Sequence, residues 1–179
     1  MYNEITDDPL REYVLKIIQL DKNHLSQLTS VYSMGKKVAA GFVIFRLSKT
    51  IEYLLLQTSY GINHWTPPKG HVDPGETDVM VTAFRETLEE SGLHEEDLEI
   101  YKDCKKILNY QVNGKPKEVH YFLAKLVNPK AEIKLSNEHQ DFKWLEIGEA
   151  CRIVGYEDMQ LTLKEFNEYI IKTNNNLSK

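Results

Sequence analysis

Glu86, Glu89 and Glu90 stand three and four positions apart, so on a helix turning about 100° per residue they share one face. Like charges this close repel one another, and a solvated helix face more often interleaves lysines. A divalent cation among them reverses the balance. Hard carboxylate oxygens suit Mg²⁺ or Mn²⁺, which bind a few carboxylates together with waters and phosphates. A plain acidic helix face accounts for the same residues without a metal. The preceding run Trp65-Thr66-Pro67-Pro68-Lys69-Gly70-His71 is stiff at its prolines and free at Gly70, which lets backbone carbonyls and Lys69 approach a metal–phosphate unit.

A second group lies around Asn113-Gly114, a hairpin-turn signal. Alternate side chains of a strand share a face. If Lys115 is already extended, Lys115, Lys117 and Tyr121 project together, two cations and an aromatic ring suited to a polyphosphate and a stacked adenine. Tyr110, on the partner strand, is placed to form the other side of an aromatic clamp. Most of the 10 tyrosines are expected to pack with one polar tip, and lysines beside a turn are usually solvated.

These groups need a scaffold. Asp78 to Ser91 reads as a helix closed by Gly92, with Met80, Val81, Phe84 and Leu88 as its core stripe opposite the glutamates. Lys37 to Leu47 and Ile51 to Gln57 read as strands joined at Ser48-Lys49, and Gly61 to Gly75 as a loop. Leu98 to Tyr110 and Val119 to Leu126 read as a hairpin, followed by strands near Ile133 and at Phe142–Leu145. Gly148 to Lys172 reads as one helical stretch. Ahead of the sheet, Asp8-Pro9 and the spacing of Tyr13, Val14, Ile17 and Ile18 suggest a helix, with a second over Asp21–Ser30. The expected organisation is a helical extension over 1–34, one domain over 35–173 and a frayed tail over 174–179. The class is α/β.

The 179 residues suit a single core, and the 41% hydrophobic and 27% charged fractions are ordinary for a globular protein. No apolar run approaches the roughly 20 residues that span a membrane. The acidic start MYNEITDDPL resembles no targeting peptide. Cys104 and Cys151, the only cysteines, make neither a disulfide framework nor a zinc site, so a cytoplasmic location is expected. A net charge of −5 argues against stable nucleic-acid binding but not against a small anionic ligand held by local cations or a metal.

The segment Gly70 to Leu93 resembles the Nudix box: Gly, five residues, Glu, seven residues, Arg-Glu, an aliphatic residue, any residue, Glu-Glu, any residue, Gly and an aliphatic residue. Gly70, Glu76, Arg85-Glu86, Glu89-Glu90, Gly92 and Leu93 match. Thr87 replaces the first aliphatic residue, and eight residues rather than seven separate Glu76 from Arg85. The extra residue is expected to be absorbed in the loop or first helical turn. The runs HWTPPKGHVDPGE, LNYQVNGKPKEVHYFLAKL and LSNEHQDFKWLEI are similar to the animal-type asymmetric diadenosine tetraphosphate hydrolases of that family. Together the resemblance covers roughly Gly35 to Tyr169.

The resemblance implies an α/β/α sandwich with a mixed sheet. It implies a hydrolase that brings water to a phosphorus of diadenosine tetraphosphate, releasing ATP and AMP, with Mg²⁺ or Mn²⁺. By position, Glu86, Glu89 and Glu90 would be metal ligands, Gly70 would add a backbone carbonyl, and Arg85 would orient Glu86. The general base would be Glu86 or Glu138, the latter a further metal-facing carboxylate. His64 and Lys69 join Tyr110, Lys115, Lys117 and Tyr121 as substrate contacts, while Trp65 either stacks on a base or packs. Other members act on capped or triphosphorylated RNA ends or on diphosphoinositol polyphosphates, and a non-catalytic nucleotide-binding module is a third possibility. The expected partner is a small-molecule dinucleoside polyphosphate, and the expected state a monomer.

Overall fold

The computed structural model describes residues 36–128 and 130–177. The expected helices of the first 34 residues lie outside the described residues. Strand β1 (Lys37–Leu47) is apolar on both faces. Ala39, Val43 and Phe45 enter one core cluster and Ala40, Phe42 and Ile44 the other. A strand buried on both sides reads as a continuous apolar run, which is why this segment is so legible.

Strand β1 pairs in parallel with β6 (Lys115–Leu126) and antiparallel with β2 (Ile51–Thr58). With β5 (Leu98–Val112) and two-residue β3 (Trp65–Thr66) the sheet runs β3-β2-β1-β6-β5. Two further strands lie off that path: β4 (Lys69–His71) pairs β1, and β7 (His139–Glu146) pairs β2. The sheet is therefore mixed, as the resemblance implies. Asn113 and Gly114 both have positive φ, 51° and 72°, the backbone of a two-residue hairpin turn.

Helix α1 (Val79–Ser91) covers one face, with the Phe42 and Phe84 rings 5.0 Å apart. Asp78 caps it by accepting from Met80 N, and Gly92 closes it in the left-handed region. Helices α2 (Ile147–Val154) and α3 (Glu157–Leu177) cover the opposite face through Ala150, Val154, Met159, Leu163, Phe166 and Ile170. This is the expected α/β/α sandwich. Among the described residues no helix is long and apolar enough to cross a membrane.

Several local expectations need correcting. The 61–75 loop contains β3 and β4, because its backbone pairs with the ends of β1 and β2. No strand forms near Ile133. That residue packs against the α1-side core from an irregular segment, so its apolarity signals burial and not pairing. The stretch after Gly148 is two helices broken at Gly155, whose φ is 74°. The second helix continues through Leu177, past the expected fraying at Asn174. The core stripe of α1 is also rotated. Val81 and Leu88 are exposed, whereas Thr82, Ala83, Thr87, Glu90 and Ser91 are buried. Small residues let the helix lie close to the sheet, and that rotation carries Glu90 inward.

Candidate active site

Side chains of helix α1 are hydrogen-bonded to the β4 backbone at Lys69 and at His71. Glu90 is 5% exposed, and its Oε2 accepts from the backbone N–H of Lys69 at 2.8 Å. Burial pushes its carboxyl up to about 7, helped by the charges of Glu86 and Glu138 and opposed by Lys69. Glu86 is partly buried and also raised by burial, against the pull of Arg85. Glu89 is the solvent-facing member of the three.

Arg85 organises the outer part. Its Nε donates to Glu76 Oε1 at 2.9 Å, Nη1 to Glu86 Oε1 at 2.8 Å and Nη2 to the His71 carbonyl at 2.8 Å. Glu76 also accepts from Thr82 Oγ1 at 2.6 Å and Asp73 N at 2.9 Å. These bonds, Arg85 first, hold its carboxyl down to about 2. The Glu76–Arg85 ion pair thus forms despite the additional residue between them.

Glu138 is exposed on the turn before β7. Its peptide is fixed by Ser59 N donating to Glu138 O at 2.8 Å and Ser59 Oγ donating to Asn137 O at 2.9 Å. It is near enough for its charge to act on Glu90, Tyr60 and His71. Among the described residues no three acidic, imidazole or thiol groups form a closed metal cage; Glu86 and Glu89 lean on Arg85, and Glu90 on Lys69. The donor chemistry nonetheless fits a hard divalent cation. Gly70 is bare where a Cβ would meet Glu86 Cδ at 2.0 Å, so the carboxylate and the Gly70 backbone meet face to face, all oxygen donors.

A cavity of about 620 Å³ opens on the α2–α3 side of the sheet, a size suited to a small molecule. His64, Lys69, Tyr110, Lys117 and Tyr121 line it, as do Tyr60, Trp65, Tyr156 and Asp158. Tyr110 and Lys117 are cross-strand partners, hence on one face. Lys117 is pushed down by burial and by Lys69 and Lys37, and His64 by burial and by Lys69 and Lys117. This crowding of cations favours an anionic ligand. Lys115 shares the alternation but lies outside the lining, at the exposed end of the hairpin.

Tyr121 is 3% exposed, with its hydroxyl 3.5 Å from Thr66 Oγ1. It forms part of the cavity floor and offers no open ring face for stacking. Trp65 lines the wall with Lys143 Nζ 4.7 Å from its ring centroid, closer to the packing alternative. The exposed tyrosine rings of the lining are Tyr60, Tyr110 and Tyr156, 51%, 40% and 59% accessible, and Tyr156 helps raise the Tyr110 hydroxyl, after burial. His64 makes edge contacts to Tyr60 and Tyr156, centroids 6.5 and 6.3 Å apart. Sequence reasoning missed Tyr60 and Tyr156. A helix stop at Gly155 was the available signal, since it releases Tyr156 from any helical face.

The layered fold, the carboxylate helix and the Arg85 network define a Nudix domain. The Nudix domain profile matches residues 35–170, and the chain belongs to that family. Among curated relatives, bis(5′-nucleosyl)-tetraphosphatase [asymmetrical] of Caenorhabditis elegans is 51% identical over 133 residues, 74% of this chain and 95% of the relative. The Mus musculus protein of the same description is 46% identical over 142 residues, 75% of this chain and 96% of the relative. The crystal structure of a C. elegans Ap4A hydrolase binary complex superposes with a TM-score of 0.73 at 50% identity, covering 76% of this chain and 98% of that one.

Proposed function

We propose that this chain hydrolyses diadenosine tetraphosphate (Ap4A) asymmetrically to ATP and AMP, with Mg²⁺ or Mn²⁺ bound by Glu86, Glu89 and Glu90 of α1, Glu138 and the Gly70 carbonyl. Its relatives' activity is one support. The observation that carries the reading is the position of Lys69. Its backbone N–H holds Glu90 while it also lines the cavity flanked by Tyr110 and Tyr156. The carboxylates and the nucleotide-sized cavity, on opposite faces of the sheet, therefore meet at one residue.

The bound cation supplies charge neutralisation at the phosphate oxygens and acidifies a water. The chain does the rest. Tyr110 and Tyr156 take one adenine between their exposed rings. Lys69 and Lys117 set the phosphate chain beside Gly70, where their mutual repulsion is relieved by the anion, and His64 offers it a hydrogen bond. Arg85 holds Glu86 in place. Glu138 accepts the proton of the attacking water, because it is exposed while Glu86 is tied to Arg85.

Product analysis on Ap4A in H₂¹⁸O with Mg²⁺ tests this. ATP plus AMP, with one ¹⁸O on one product, is the expected result. Formation of two ADP, faster turnover of triphosphorylated RNA or a diphosphoinositol polyphosphate, or binding without cleavage overturns it.

A further inference from the structure

His139 has no place in the chemistry above. It opens β7 beside Glu138, its side chain is 0% exposed, and neither ring nitrogen has a hydrogen-bond partner among the described residues. Packing alone does not explain it, since an apolar side chain fills such a volume without stranding two polar atoms. Its Nε2 stands 3.9 Å from Glu90 Oε1. That is beyond a hydrogen bond, and neither ring nitrogen has a closer polar partner among the described residues. The other Glu90 oxygen is already held by Lys69 N. The residue before His139 is Glu138, whose carbonyl is fixed by Ser59.

We propose that His139 is a positioning residue for Glu90: its Nε2–H donates to Oε1, fixing the carboxylate plane presented to the divalent cation and tying α1 to the turn that carries Glu138. A neutral imidazole with its proton on Nε2 suffices, so no change of protonation is involved. Outer hydrogen bonds of this kind orient metal-binding carboxylates and raise metal affinity. The inference rests on the reading of Glu90 as a metal ligand.

The test compares His139→Leu and His139→Gln in the full chain, with Glu90→Gln as reference. Mn²⁺ affinity is read by electron paramagnetic resonance without substrate, alongside kcat and KM for Ap4A and the metal-free Tm. His139→Leu is expected to weaken Mn²⁺ binding about tenfold or more and to lower kcat more than it raises KM. Its metal-free Tm should be little changed, because the bond lost to Glu90 is offset by removal of the buried Nδ1, which has no hydrogen-bond partner among the described residues. His139→Gln, whose amide N–H reaches the same oxygen, should restore Mn²⁺ affinity to within about threefold of wild type. Normal Mn²⁺ binding in His139→Leu, or equal losses in both variants, overturns the proposal. If the Leu variant does not fold, Gln is compared with Asn, whose amide is one methylene short: Gln near wild type with Asn weak supports the proposal, and equal affinities overturn it. If wild type binds no Mn²⁺, or Glu90→Gln binds it normally, the metal reading itself fails. If only the His139 variants behave as wild type, that reading stands and this proposal alone falls.

Discussion

Arg85 grips both carboxylate oxygens of Glu76, Nε to Oε1 at 2.9 Å and Nη2 to Oε2 at 3.2 Å, while Nη1 reaches Glu86. A lysine keeps the charge but loses the fork that makes these contacts together. Arg85→Lys should therefore lower kcat by about tenfold with a smaller change in KM, checked by steady-state kinetics on Ap4A. Glu76 has a folded pKa of about 2, below its ordinary 4.5. Its stabilising contribution is complete above the unfolded value and is lost as pH falls through the folded one. Acid unfolding of Glu76→Gln should show a weaker pH dependence across that window than wild type.

Glu90→Gln should reduce turnover by about a thousandfold or more while the protein remains folded. A solvated carboxylate face would have made this substitution harmless to stability, but Glu90 is buried. The reason is instead that the glutamine carbonyl can still accept from Lys69 N, and a neutral amide costs less to bury than a carboxylate. Circular dichroism and a thermal melt, beside an activity assay, separate the two effects. Near-normal turnover would remove Glu90 from the machinery.

Metal affinity should rise with pH through the range set by Glu90, whose carboxyl is raised from 4.5 to about 7. Between those values the folded, metal-free protein holds a proton that the unfolded chain has released, so its stability falls as pH rises across that window. A cation bound as proposed would compete for the same carboxylate. Calorimetric titration with Mg²⁺ in two buffers should detect close to one proton released at about pH 6 and much less at about pH 8.

Tyr156→Ala and Tyr110→Ala should each raise KM for Ap4A about tenfold, the scale of one lost stacking face. Their effect on kcat should be smaller, because both rings line the cavity on the face of the sheet opposite α1. Tyr121→Phe should change KM much less, since that ring is buried in the floor. Equal losses in all three variants would count against a clamp formed by the exposed pair.

Gly70→Ala should inactivate the enzyme without unfolding it. The added methyl meets Glu86 Cδ at 2.0 Å, and Glu86 is the group that must give way, breaking its contact with Arg85. Loss of Mn²⁺ binding with a retained melt is the expected pair of observations.

What was legible in the sequence follows from how local each feature is. Glu86, Glu89 and Glu90 lie on one helical turn, so spacing alone brought them together, and Asp78 and Gly92 marked its ends. The pairing of Tyr110 with Lys117 was accessible because one hairpin turn sets the register. Tyr156 was hidden because it enters the cavity from a break between two helices that apolar periodicity runs across. The burial of Tyr121 and the exposure of Val81 and Leu88 depend on what packs above them, which no single segment reports. Periodicity found α1 but misjudged its rotation, because Ala83 and Thr87 offer little apolarity where the helix lies closest to the sheet.

Gly41 lies under the loop that carries Lys69: a Cβ there would come within 2.0 Å of Pro68 O and 2.5 Å of Lys69 Cβ, and β1 pairs Gly41 with Lys69 on one side and Tyr121 on the other. One half of the catalytic cleft is thereby rooted in the centre of the sheet and tolerates almost no redesign. The opposing wall hangs from a hairpin and a helix junction that can be lengthened or exchanged. New substrate preferences in this scaffold are therefore to be sought by grafting that outer wall, leaving the hydrolytic half as inherited.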